Sequence, residues 1–173
     1  MAYLLIGEES ERLRYRKLMP SDFDTWLPFH KDPSSTQHWS EASLNPEEAC
    51  QKWFDKVFYR YEHHLGGLNA LVDKHNGQFI GQCGLLVQTV DNQQELEIGY
   101  SILPAYRNKG YASEAAQKCR SFAKENRLAK SLISIIHIHN MASQTVAIKN
   151  GMVLDRTTTY HNNPVAIFRV SIQ

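Results

Sequence analysis

Hydrophobic and polar positions change period several times along the chain, and each change marks an element. Leu13, Tyr15 and Lys17 fall at alternate positions and predict a first strand over 12–18. Ser21-Asp22 offers an N-cap for a short helix carrying Phe23, Trp26 and Leu27, which Asp32-Pro33-Ser34-Ser35 breaks. Asn45-Pro46-Glu47-Glu48 starts a longer helix, with Ala49, Trp53, Val57 and Tyr61 at four-residue spacing and Cys50, Phe54 and Phe58 widening the stripe. Its aromatics are expected in a core rather than a ligand box. Gly66-Gly67 ends it. Strands are predicted over 68–73 and 78–88, joined by a hairpin at Asn76-Gly77, with Gly81 and Gly84 marking a bend or a close backbone approach. After a polar turn at 91–94, Leu96, Ile98, Tyr100 and Ile102 alternate until Pro104, which has no N–H for a sheet. From Ala112 the period turns helical through Ala115, Ala116, Cys119, Phe122 and Ala123, giving a helix over 112–126. A β-branched strand follows at 132–138. Asn140 then caps a helix with Val146 inside and Asn150-Gly151 at its end, and strands at 153–160 and 165–172 close the chain. The order β-α-α-β-β-β-α-β-α-β-β predicts a mixed α/β sheet with helices on both faces.

The stretch 95–114 organises the rest, because it reads strand, tight loop, helix. Unpaired N–H groups and the helix dipole favour an anion at such a helix start. Gly110 allows close approach, Asn108 tolerates a left-handed backbone, and Arg107 and Lys109 add positive charge. The loop lacks the Gly-Lys-Ser/Thr of a P-loop and the spaced glycines of a dinucleotide fingerprint. An ordinary strand-to-helix connection with solvated basic residues fits the same composition.

Arg107-x-x-Gly110-x-Ala112 resembles the Gln/Arg-x-x-Gly-x-Gly/Ala signature of the GNAT superfamily of acyl-CoA-dependent N-acyltransferases. Glu97-Ile98-Gly99-Tyr100, Asn140-x-x-Ser143 and Lys149-Asn150-Gly151-Met152 are similar to segments of its RimJ/RimL-like branch, in the same order. The resemblance spans nearly the whole chain and implies one N-acetyltransferase domain over 1–173. It implies a mostly antiparallel sheet splayed between the strands ending at Leu103 and Ile138, with the pantetheine arm of acetyl-CoA in the gap. It further implies that Arg107, Asn108, Lys109, Gly110, Tyr111 and Ala112 hold the pyrophosphate. Backbone groups of Ser101, Ile102 and Leu103 would pair with the arm, a bulge in that strand would aim an N–H at the thioester, and Asn140 would bond the pantetheine.

An alkyl amine has a pKa near ~10 and must lose a proton before it attacks a thioester. Glu97 is the expected base; the bland alternative is a salt-bridged glutamate on a sheet face. Many members of the superfamily protonate the thiolate with a tyrosine where this chain has Ala147, so Ser143 is expected to serve the sulfur instead. Its alternative role is satisfying backbone groups in a first helical turn. Trp39, His139 and Tyr160 are expected to line the acceptor pocket. His137 and His139 share a strand face, but no third ligand stands at diagnostic spacing, and no metal is expected.

Composition narrows the setting. A charged fraction of 21% and a net charge of +1 give no global pull toward nucleic acid or an anionic membrane, so any anion site is local. Three scattered cysteines point to a reducing compartment, and the apolar start is too short for a signal or a span, so a cytoplasmic protein is expected. The acceptor is expected to be a protein N-terminus or a small-molecule amine, and a homodimer is compatible with the resemblance. The reading from another class is a non-catalytic acyl-CoA-binding sensor or partner module.

Overall fold

The computed structural model describes residues 2–38 and 44–173. Strand β1 (Leu13–Lys17) leads through a short 3-10 turn into α1 (Phe23–Lys31), α2 (Pro33–Thr36) and α3 (Pro46–Glu62). Then come β2 (Gly66–Asp73), β3 (Phe79–Val90), β4 (Gln93–Ile102), α4 (Tyr111–Glu125), β5 (Ser131–His137), α5 (Met141–Lys149), β6 (Val153–Tyr160) and β7 (Asn163–Ser171). The seven strands form one sheet in the order β1-β2-β3-β4-β5-β7-β6. All neighbours are antiparallel except β4 and β5. The sheet is therefore mixed and mostly antiparallel, as the resemblance implies.

Separate hydrophobic clusters cover its two faces. On one, Ala115, Ala116, Cys119 and Ala123 of α4 pack small side chains against Cys83, Leu85, Ile98 and Ile102. On the other, Trp26 and Phe29 of α1 and Cys50, Phe54 and Val57 of α3 pack against Ala70 and Phe79. The buried edge of α3 thus runs through Cys50 and Phe54, one position around from the four-residue series, and takes only Val57 from that series; Trp53 is half-buried and donates its indole N–H to Gln82 Oε1 at 3.1 Å.

Several local expectations change. Asn45 caps α3 as read, accepting from the Glu48 N–H at 2.8 Å. Asp22 does not cap α1: its carboxylate turns back to accept from Arg16 Nη1 and Nη2, both at 2.9 Å, and from the Met19 N–H at 2.8 Å. The 91–94 turn shrinks to Asp91 and Asn92 with φ of 49° and 63°, the paired positive values of a two-residue hairpin whose twist matches the strands. His161 and Asn162 make the same turn between β6 and β7, so Asn163 and Pro164 already belong to a strand.

Candidate active site

The site lies where β4 and β5 part. Their parallel pairing has a single register position, Glu97 with Ile133. A continued ladder would carry the next β5 N–H, that of Ile135, to the β4 backbone. Two side chains intervene. Glu97 Oε2 accepts from the Ile135 N–H at 2.8 Å, and Ser134 Oγ donates to the Ile98 carbonyl at 2.8 Å. The strands can separate there without leaving those ladder groups unpaired, which burial would penalise.

The implied bulge is corrected by this arrangement. The β3–β4 register runs unbroken from Gly81 opposite Ile102 to Val90 opposite Gln93. Substituted ladder partners open the sheet, not an inserted residue. Strand phase corrects a second expectation. Leu103 gives its N–H to Ile80 and accepts from the Tyr106 N–H with its carbonyl, so neither group faces the gap. Ser101 is in phase with it: a side chain at Gly81 would run into the Ser101 carbonyl oxygen, which therefore points toward β3. Backbone groups of Tyr100 and Ile102 are the ones that alternation turns toward β5. The Ile102 carbonyl is already engaged by Arg107 Nε at 3.1 Å.

The loop after β4 presents an open helix start. Asn108 and Gly110 are left-handed, with φ of 61° and 82°, and Gly110 is the N-cap of α4 with no side chain to satisfy the first N–H groups. A Cβ at Gly110 would find only Arg12 Nη2, at 3.4 Å. The N–H groups of Tyr111, Ala112 and Ser113 therefore open outward, the arrangement that holds an anion. Glu114 puts a carboxylate in the same first turn, but it is tied to Ser10 Oγ and to the backbone and Nε of Arg12. Arg12 also donates to the Lys109 carbonyl at 2.8 Å and lies over the Tyr111 ring, bracing the loop from the chain's first segment. Lys109 is exposed beside Tyr106.

Arg107 departs from its expected place. Its Nη1 and Nη2 donate to Ser34 and Ser35 at 2.9 and 2.6 Å, with Asp32 at 4.0 Å, so the guanidinium joins the loop to α2 and does not line the cradle. The two serines belong to α2, at the Asp32-Pro33-Ser34-Ser35 stretch that the sequence shows as a break after α1.

Across the gap, Asn140 caps α5 by accepting from the Ser143 N–H at 3.1 Å. The Ser143 carbonyl accepts from the Tyr100 hydroxyl at 2.6 Å, a strut from β4 to the first turn of α5. Among the described residues the Ser143 hydroxyl has no hydrogen-bond partner. Ala147 is buried in the core. Lys149-Asn150-Gly151-Met152 has a structural part: the buried Asn150 side chain donates to the Ala116 carbonyl at 3.2 Å and the Asn150 backbone carbonyl accepts from Arg120 Nη1 at 2.8 Å, locking α5 to α4.

Glu97 is 8% exposed, and burial pushes its carboxyl up to about 7, against the lowering pull of the Ile135 N–H, Gln88 and the Arg60 charge. Gln88 Nε2 donates to Glu97 Oε1 at 3.0 Å. Tyr160 stands beside this group, its hydroxyl 2.8 Å from Gln88 Oε1. His139 is exposed at the end of β5, next to the His137 ring, which in turn stacks on His38. Among the described residues no group of three His, Cys, Asp or Glu is arranged to hold a metal ion. Trp39 lies outside the described residues. Gln88, Ser134 and Arg60 were not legible as site residues, since nothing in the sequence pairs them with Glu97; strand register alone puts Gln88 diagonally across from it.

The acetyltransferase (GNAT) domain profile matches residues 12–153. The uncharacterized protein YkkB of Bacillus subtilis (strain 168) is 38% identical over 160 residues, 92% of either chain. Among solved structures, an acetyltransferase from Agrobacterium tumefaciens str. C58 has a TM-score of 0.78 at 24% identity, covering 94% of this chain and 92% of its own. RimL, a ribosomal L7/L12 alpha-N-protein acetyltransferase in complex with coenzyme A, has a TM-score of 0.74 at 14% identity, covering 96% and 97%. At such identities these two likenesses establish the fold. The profile spans the open helix start, the parted strands and Glu97 together, and by that match the chain belongs to the GNAT family as an acetyl-CoA-dependent acetyltransferase.

Proposed function

We propose that the acetyl group passes from acetyl-CoA to a primary amine by direct attack within a ternary complex. The observation that carries this reading is Glu97: a buried carboxyl at the mouth of the parted strands, held at both oxygens and pushed up to about 7. A base with a pKa near working pH is well matched to taking a proton from an ammonium group. The amine nitrogen then attacks the acetyl carbonyl carbon, the C–S bond breaks, and the sulfur leaves with the electron pair. Proton balance closes when the proton held by Glu97 goes to solvent and the second proton of the attacking nitrogen, shed as the C–S bond breaks, reaches the departing thiolate through the Ser143 hydroxyl, which gives one proton and regains one.

The uncapped start of α4, with Asn108, Lys109, Gly110, Tyr111 and Ala112, would hold the pyrophosphate of acetyl-CoA. Backbone groups of Tyr100 and the Ile102 N–H would face the pantetheine arm, with the Asn140 amide across the gap. The unpartnered Ser143 hydroxyl would donate to the sulfur, a role Ala147 cannot fill. His139 and Tyr160 would line the acceptor pocket.

The acceptor we infer is a protein N-terminus or a small-molecule amine, in the manner of the RimJ/RimL-like branch and in the cytoplasm. RimL, on the same fold, is an alpha-N-protein acetyltransferase. Ala147 favours a second reading, an acyl-CoA-binding module without turnover. Amine-dependent thiol release by the wild-type protein separates them, and the Glu97→Gln variant tests the base. Turnover should fall by about a hundredfold, the usual scale of general-base loss, with acetyl-CoA affinity in calorimetry nearly unchanged. Undiminished turnover across pH would remove Glu97 from the mechanism.

A further inference from the structure

We propose that Gln88 is the positioning residue that orients Glu97 and sets its proton affinity, which rests on the reading of Glu97 as the base. The amide of Gln88 has only one way to sit. Its Oε1 accepts from Arg60 Nη2 at 2.8 Å and from the Tyr160 hydroxyl at 2.8 Å. A guanidinium has no acceptor, so the oxygen end must face Arg60, and the NH2 end is left for Glu97 Oε1 at 3.0 Å. Arg60 is itself immobilised: Nη1 donates to the carbonyls of Leu65 and Val87 at 3.2 and 2.9 Å. Three elements that sequence separates, α3, β3 and the end of β6, thereby converge on one amide.

The charged and titratable groups around Glu97 leave that amide as the adjustable contact. Arg60 from α3 acts on it through space and through Gln88. Tyr160 from β6 is neutral at working pH, its phenol pushed up to about 12 by burial. Tyr100 of β4 has its hydroxyl spent on Ser143, and from β5 the contact is the uncharged Ile135 N–H. Glu95, two residues along β4, is held by Arg169 at 2.8 Å. A hydrogen bond to the charged form of a carboxyl favours that form. Removing the Gln88 donor should therefore raise the midpoint at which Glu97 loses its proton, and removing Tyr160 as a clamp on the amide should raise it less.

The test needs no knowledge of the acceptor. With glutamate labelled by 13C at the side-chain carboxyl, the Glu97 resonance is assigned by its loss in Glu97→Gln and followed against pH. In Gln88→Met the midpoint should rise by roughly one pH unit, and in Tyr160→Phe by a smaller amount in the same direction. Should Gln88→Met fail to fold by circular dichroism, Tyr160→Phe carries the test. A midpoint unmoved in the folded variants overturns the role of Gln88, whatever Glu97 does in catalysis. The acid limb of the thiol-release rate reports on the base separately: it should move with the midpoint in Gln88→Met and vanish in Glu97→Gln. An acid limb that survives in Glu97→Gln sinks the base reading instead.

Discussion

Glu97 would do two jobs with one carboxylate: it takes the β5 N–H that a backbone carbonyl would otherwise hold, and in the proposed mechanism it accepts the proton of the amine. The combination has a cost that depends on pH. Its folded pKa, about 7, lies above that of an unfolded glutamate, so the fold keeps the proton more tightly. Stability from this group is fully present below the unfolded value and is lost as pH rises through about 7. The difference in Tm between Glu97→Gln and wild type should therefore grow in favour of the variant from about pH 4.5 to 7, then level off. The full shift corresponds to roughly 3 kcal/mol. A difference that stays flat across that window would contradict the burial argument. Glu97 as a candidate was legible, because its motif and its face of the strand are both local. Arg107 was not: the sequence shows a basic residue in an anion loop, whereas its partners Ser34 and Ser35 lie more than seventy positions earlier and are brought to it by α2 packing. Strand alternation was equally readable, but which edge of β4 stays unpaired depends on pairing with β3, and that replaces Ser101 and Leu103 by Tyr100 while keeping the N–H of Ile102 from the expected set.

At the scale of elements, the strand–loop–helix unit is most exposed to test at Gly110. Its left-handed φ of 82° is tolerated by aspartate better than by most L side chains, so the main effect of aspartate there is a like charge at the proposed anion cradle. Gly110→Asp should weaken acetyl-CoA binding by more than tenfold in calorimetric titration, and unchanged affinity would show that the helix start is not the anchor. The α4–α5 joint behaves differently. Asn150→Ala removes a buried bond to the Ala116 carbonyl and should lower stability by about 1–3 kcal/mol in denaturant unfolding. Acetyl-CoA affinity of the folded protein should change little, because Asn150 faces α4 and not the gap. Helices with strong caps or small-residue stripes, such as α3 and α4, were readable because their signals repeat locally. The two-residue hairpins were read too long: Asp91-Asn92 and His161-Asn162 lack glycine, and their positive φ values are imposed by the strands on either side.

Across the whole molecule, the edge strand β6 returns to the hairpin between β3 and β4. Arg156 and Thr158 donate to Asp91 at 3.0 and 2.9 Å, and Tyr160 reaches Gln88. This curvature gathers α3, β3, β4, β5 and β6 around Glu97, and no pattern within a single segment announces it. Among the described residues no helix is long and apolar enough to cross a membrane. The measurement that bears most directly on the account is release of coenzyme A thiol from acetyl-CoA by the wild-type protein over a panel of amines and N-terminal peptides. Amine-dependent release, rising with pH on an acid limb that Glu97→Gln abolishes, is the predicted result. Acetyl-CoA binding with no release above background for any acceptor would contradict it.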